Sequence, residues 1–164
     1  MYTNLVCSRG LDLLEKNQKK LTWYMEYVLE SGKKSNTGEY IKALGERDIM
    51  ISKFEDEFTK FDLLLSPTMP TTAFPVDNIP KSIGGKEVYP SPETMSYIYG
   101  FHPFTYPINI IGYPAATVPC GFSKDGMPIG LHIIGKKGDD ETVMAASSAF
   151  EKANPWTQYI PVVS

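Results

Sequence analysis

The stretch NIIGYPAATVPCGFSKDGMPIGLHIIGK, residues 109–136, constrains the fold more than any other part of the chain. Two apolar runs, AATVPC and PIGLHIIG, flank Lys124-Asp125-Gly126. Asp-Gly between two such runs is a strong hairpin signal, because the turn needs backbone angles that these residues tolerate. Residues 115–119 and 129–134 are therefore expected to be strands of one sheet. Their near-continuous apolar character predicts burial on both faces.

The rest of the chain supplies helices and one more strand. Asn36 suits a helix N-cap, and Glu39 stands three residues on, where a carboxylate meets the positive end of the helix dipole. Tyr40, Leu44, Arg47, Ile51, Phe54, Phe58 and Phe61 alternate steps of three and four, which predicts a long core-packed helix over residues 39–61. Asp62-Leu63-Leu64-Leu65-Ser66 then reads as a strand buried on both faces, ending at Pro67. SPTMPTTAFP, with three prolines in ten residues, is an extended loop leaving that strand. Earlier, Leu14, Leu21, Met25 and Val28 recur at helical spacing over residues 11–29, as one helix or two, with Gly32 as a helix end. Residues 76–103 are loop-rich, with a turn at Gly84-Gly85 and one or two helical turns over 92–99. Asp139-Asp140-Glu141 opens a last helix with Val143, Met144, Ser147, Phe150 and Ala153 on one face, and Asn154-Pro155 closes it. The order is that of an α/β chain. Three or four apolar strands are few for a sheet covered on both faces, so they suggest part of a larger one.

Composition narrows the function classes. A net charge of −3 gives no electrostatic footprint for nucleic acid or an anionic membrane, so neither is an expected partner. The two cysteines, Cys7 and Cys120, lack metal-type spacing and read as free thiols of a reducing compartment. No apolar run approaches a membrane span, and the N-terminus has no basic-then-apolar leader pattern. A cytoplasmic setting is expected, with no cofactor and no metal.

Each candidate centre is incomplete. Gly130 to Lys136 follows the first seven places of the nucleotide-binding G-x-x-x-x-G-K pattern, but Lys137 stands where the magnesium-holding Ser or Thr belongs. His132 alternates with apolar neighbours on a strand and reads as a sheet-face histidine. His102 lies in the aromatic loop GFHPFTYP, where binding residues collect. Cys120 with either histidine could form a thiol nucleophile and base, although no spacing requires it. Ser147-Ser148 sits mid-helix without glycines to supply oxyanion-hole amides.

Three runs carry a family likeness. FDLLLSPTMPTTAFPV, then FTYPINIIGYPAATVPCGFSKDGMPIGLHIIGK, then AFEKANPW resemble the C-terminal third of an amidase signature enzyme. The family pattern F-T-x-P-x-N-x-x-G-x-P-A-x-x-V-P-C-G-F, followed by D-G-x-P-x-G-L-x-x-I-G, is matched at Asn109, Gly112, Pro114, Cys120 and Gly130 among others. The resemblance implies an α/β fold, the C-terminal portion of the amidase signature fold, with a mixed β-sheet flanked by helices and incomplete on its own. Residues 1–164 would be a single segment of it, lacking the N-terminal catalytic portion. It also implies hydrolysis of a carboxylic amide by a Ser–Ser–Lys triad. Those residues belong to a Gly/Ser-rich segment and a lysine that this sequence does not contain, so no catalytic residue is carried over. Phe101, His102, Phe104, Thr105 and Tyr106 are the expected wall of the substrate pocket. The family's glutamine-using amidotransferases tend to hold an acidic residue at the His102 position, suited to an α-ammonium. His102 among aromatic neighbours instead implies a neutral or aromatic amide. The alternatives are a non-catalytic interaction fragment and part of a glutamyl-tRNA(Gln) amidotransferase A subunit. Expected partners are the small-molecule amide, the missing N-terminal portion and a second copy of the chain through self-association.

Overall fold

The computed structural model describes residues 20–88 and 100–159. The chain divides into two compact units, Met1–Lys53 and Phe54–Ser164. In the first, α1 (Trp23–Lys34) buries Leu29, against which Leu21 and Met25 pack. Of the helical pattern expected over residues 11–29, the part before residue 20, with Leu14, lies outside the described residues. Gly32 does not end the helix. It continues to Lys34, and the Ser35 amide and hydroxyl then donate to the Gly32 carbonyl at 3.3 and 2.8 Å, satisfying an acceptor left open by the last turn.

The next helix, α2 (Thr37–Phe58), starts at a reciprocal cap. Asn36 Oδ1 accepts from the Glu39 amide at 3.0 Å, and Glu39 Oε2 accepts from the Asn36 amide at 3.3 Å. Its apolar stripe is covered unevenly, which corrects the expectation of a core-packed helix. Phe58 is buried and Leu44, Ile51 and Phe54 are half-buried, but Tyr40 is exposed. Phe61 lies beyond the helix and is 52% exposed. Periodicity identifies which side chains share a face, not what is laid against that face.

In the second unit, β1 (Leu63–Pro67) leads through the proline-rich loop to the hairpin β2 (Ser82–Ile83) and β3 (Lys86–Glu87). Gly84 and Gly85 make its two-residue turn with φ of 56° and 77°, the paired positive angles that such a hairpin needs. Residues 92–99, expected to hold helical turns, lie outside the described residues. A short helix not expected from the sequence follows, α3 (Thr105–Ile111). It buries Ile108 and Ile111 and stops at Gly112, whose φ of 72° lets its amide return to the Ile108 carbonyl at 2.9 Å. The expected strand pair is β4 (Ala115–Phe122) and β5 (Pro128–Gly135), and α4 (Asp140–Ala153) closes the order. Asp139 caps α4 by accepting from the Thr142 amide at 3.2 Å.

The sheet order is β1-β5-β4, with both pairings antiparallel. Its faces differ. Ala116, Val118, Leu131 and Ile133 meet Val143, Ala146 and Phe150 of α4, with Trp156 beside them. Gly135 makes that approach possible, since a Cβ there would lie 2.5 Å from Val143 Cγ2. Met144 and Ala153 were expected on the packed face of α4 but are exposed, because the covered stripe runs through Val143, Ala146 and Phe150. On the other face Ala115 and Thr117 are exposed, and on the α4 side the edge residue Leu65 of β1, paired with Ile133, is 61% exposed. Burial on both faces therefore holds only for the His132 to Gly135 half of β5. An antiparallel sheet with one helix laid over it can leave part of its second face open.

Two outcomes test this architecture. Gly135→Ala should lower the urea midpoint by the equivalent of about 1–3 kcal/mol, the usual cost of overpacking, with an unchanged denaturant slope. An unchanged midpoint would contradict the close α4 contact. Among the described strands β1 pairs with β5 alone, so its outer edge, with Leu65 and Phe61 exposed, invites strand addition. Sedimentation at micromolar concentration should show species heavier than the 18.3 kDa monomer, and a clean monomer would contradict edge pairing.

Candidate substrate pocket

Opposite α4, a cavity of about 790 Å³ opens where β1 ends, between loop residues 67–74 and the 128–130 end of β5. Its size is that of a small-molecule site. Among the described residues no charged side chain lines it, and Phe74, Ile83, Phe104 and Ile129 belong to its apolar wall. Four threonines line it, Thr68, Thr71, Thr72 and Thr117, and the Oγ1 hydroxyls of Thr68 and Thr117 are hydrogen-bonded to each other. They meet over Gly130, where an added Cβ would lie 2.6 Å from Thr68 Oγ1 and 2.9 Å from Thr117 Oγ1. The Thr68 amide donates to the Gly130 carbonyl at 2.9 Å, extending the β1–β5 ladder by one residue and fixing the loop's departure.

Of the five residues expected from sequence, two reach this cavity or its lining. Phe104 lines it, and buried Phe101 sets its ring 5.2 Å from that of the lining Phe74. Thr105 and Tyr106 begin α3 and are half-buried, with the Tyr106 amide donating to the His102 carbonyl at 3.1 Å. His102 itself is exposed and is not a lining residue. Thr68, Thr117 and the loop 67–74 were missed as site residues. Their signal was a hydroxyl-rich, proline-rich loop leaving a strand end, and one polar residue inside AATVP.

The other candidates are accounted for structurally. His132 is buried on the sheet, its Nδ1 3.3 Å from Ser66 Oγ, in the transverse row Ser66–His132–Thr117. Burial pushes its imidazole pKa below the ordinary value. Cys120 is exposed at a β-bulge, and its thiol donates to the Ile129 carbonyl at 3.4 Å. Ser147 Oγ donates back to the Val143 carbonyl at 2.7 Å. The stretch matching the nucleotide pattern lies along β5 instead of following a strand. Among the described residues no three His, Cys, Asp or Glu side chains gather as a metal set. No described helix is long and apolar enough to cross a membrane.

Comparison with known proteins decides the family. The family model for Amidase matches residues 11–144. The chain belongs to the amidase family. It is 41% identical over 123 residues to the glutamyl-tRNA(Gln) amidotransferase A subunit of Lacticaseibacillus casei, covering 74% of this chain and 23% of that protein. It is 44% identical over 113 residues to the protein of the same name from Methanosarcina mazei, covering 69% of this chain and 21% of that one. A solved bacterial aryl acylamidase of the amidase signature family is similar to it with a TM-score of 0.78 at 27% identity, over 97% of this chain and 33% of the other. The 6-aminohexanoate cyclic dimer hydrolase shares the fold, with a TM-score of 0.71 at 22% identity, over 98% of this chain and 34% of that one. The α/β architecture is thus that of amidase signature enzymes, and this amidase chain spans less than a quarter of the length of these two sequence relatives.

The buried histidine gives a pH test. The unfolded chain, with an ordinary imidazole, takes up its proton first as pH falls below about 7. The native state resists protonation, so stability falls with falling pH and levels off once native His132 also protonates. Urea midpoints of the wild type should drop more steeply between about pH 7 and 5 than those of His132→Gln. Equal slopes would contradict the buried neutral imidazole.

Proposed function

We propose that this chain is the C-terminal part of an enzyme that hydrolyses a carboxylic amide C–N bond, with its catalytic residues outside the chain. In this reading a serine hydroxyl attacks the amide carbon and passes its proton through a second serine to a lysine. The amine leaves carrying a proton, and water releases the acyl group. The described chain contributes the wall of the substrate pocket, with Phe101 and Phe104 at the cavity and His102, Thr105 and Tyr106 beside it. A cytoplasmic setting belongs to the proposal and is supported by the free Cys120 thiol.

The observation that carries this reading is an uncharged cavity of small-molecule size in a chain of the amidase family. A second reading, part of an amidotransferase A subunit, is favoured by the names of the sequence relatives. Glutamine, however, brings an α-ammonium and a carboxylate that would need charged partners, and the described residues of this wall offer none. A neutral amide suits it better.

The 164-residue chain alone should hydrolyse no aliphatic or aromatic amide above the buffer rate, because it holds no serine placed with a lysine base. Turnover that survives purification would overturn the proposal. Loss of such turnover in Cys120→Ser would point instead to a thiol nucleophile.

A further inference from the structure

We infer that the Thr68–Thr117 hydroxyl pair is a recognition element for the single carbonyl or carboxamide of a neutral, ring-sized ligand held in the cavity. The inference rests on reading that cavity as part of the substrate pocket.

A hydroxyl has one proton to donate and two lone pairs to accept with. When one threonine donates to the other, the acceptor's own proton stays available. The pair therefore presents one spare O–H donor and several lone pairs, which is what a carboxamide or an aryl ketone can satisfy. Around it the wall is apolar, from Phe74, Phe104, Ile83 and Ile129.

Charge and size restrict the occupant further. An ammonium or carboxylate placed here would lose hydration, and among the described residues of this wall no charged side chain replaces it. A plain hydrocarbon would fill the volume but offer no acceptor to the spare hydroxyl proton, the kind of mismatch that polar sites discriminate against. A cavity of about 790 Å³ admits an aromatic ring with its amide.

The arrangement is built by constraints from all three strands. Thr68 lies just past β1 and is held by its amide bond to the Gly130 carbonyl. Thr117 stands on β4 opposite His132. Gly130 on β5 leaves empty the volume that both hydroxyls occupy, as the 2.6 and 2.9 Å approaches of a Cβ show. Any side chain at residue 130 would part the pair.

A titration of the isotope-labelled 164-residue chain, followed by two-dimensional NMR, tests this without any catalysis. The probes are benzamide, toluene and L-glutamine. Benzamide should shift the amides of Thr68, Thr117 and Gly130 and bind about fivefold tighter than toluene, the ratio expected of one neutral hydrogen bond. Glutamine should shift none of these residues at the same concentration. Thr117→Val, which keeps the side-chain shape, should remove the benzamide advantage and leave toluene unchanged, whereas Thr117→Ser should restore it. Spectra of the free variants report whether each keeps the fold, and Thr68→Val provides a second arm of the same expectation. Undiminished benzamide preference in both valine variants, glutamine binding at these residues, or no shift with benzamide would overturn the inference. If the hydroxyl dependence is found but a longer enzyme containing this chain cleaves no amide, the proposed function fails and the recognition element stands.

Discussion

The two-sided pairing of β5 is the constraint on which the second unit depends. It takes β1 on one edge and β4 on the other, so it sets the register of both. Two glycines near its ends make its faces usable in different ways. Gly135 admits Val143 of α4 on one face, and Gly130 admits the two threonine hydroxyls on the other. Five residues apart on a strand, the two positions point to opposite faces. One strand thus carries both the principal core contact and the floor of the cavity.

This division lets the sheet carry a cavity beside its packed core. On the α4 face Val118, Ile133 and Val143 form a buried cluster that packs the sheet without filling the cavity side. That side can hold small residues and an open wall. The aromatic residues around it are buttressed by one another, as Phe101 against Phe74 shows. In the proposed reading, recognition here rests on shape and one hydroxyl pair, and the reacting groups come from outside this segment.

Much of this architecture was legible in local sequence. Asp125-Gly126 with its flanking apolar runs located the hairpin, and Gly126 indeed has a φ of 79°. Asn36 with Glu39, and Asp139, marked helix starts because capping is a contact between residues three apart. Coverage was less legible. Nothing in AATVP says that Thr117 and Ala115 stay open while Val118 meets a helix, because that depends on which element crosses which face. The α3 helix was hidden by Pro107, which is tolerated in a first turn but reads as a breaker. The aromatic loop around His102 supplies Phe104 to the cavity, while the hydroxyl pair comes from two threonines 49 residues apart. No short motif can show such a pair; only the β1-β5-β4 order brings it together.

The most direct test is a nuclear Overhauser measurement on the chain with methyl-labelled threonines. A cross-peak is expected between the Thr68 and Thr117 side chains, two strands apart across Gly130, in the ligand-free protein. Assigned Thr68 and Thr117 methyls with no cross-peak between them would contradict it. The sheet order would then fail to bring the two hydroxyls together, and the cavity would lose its polar floor.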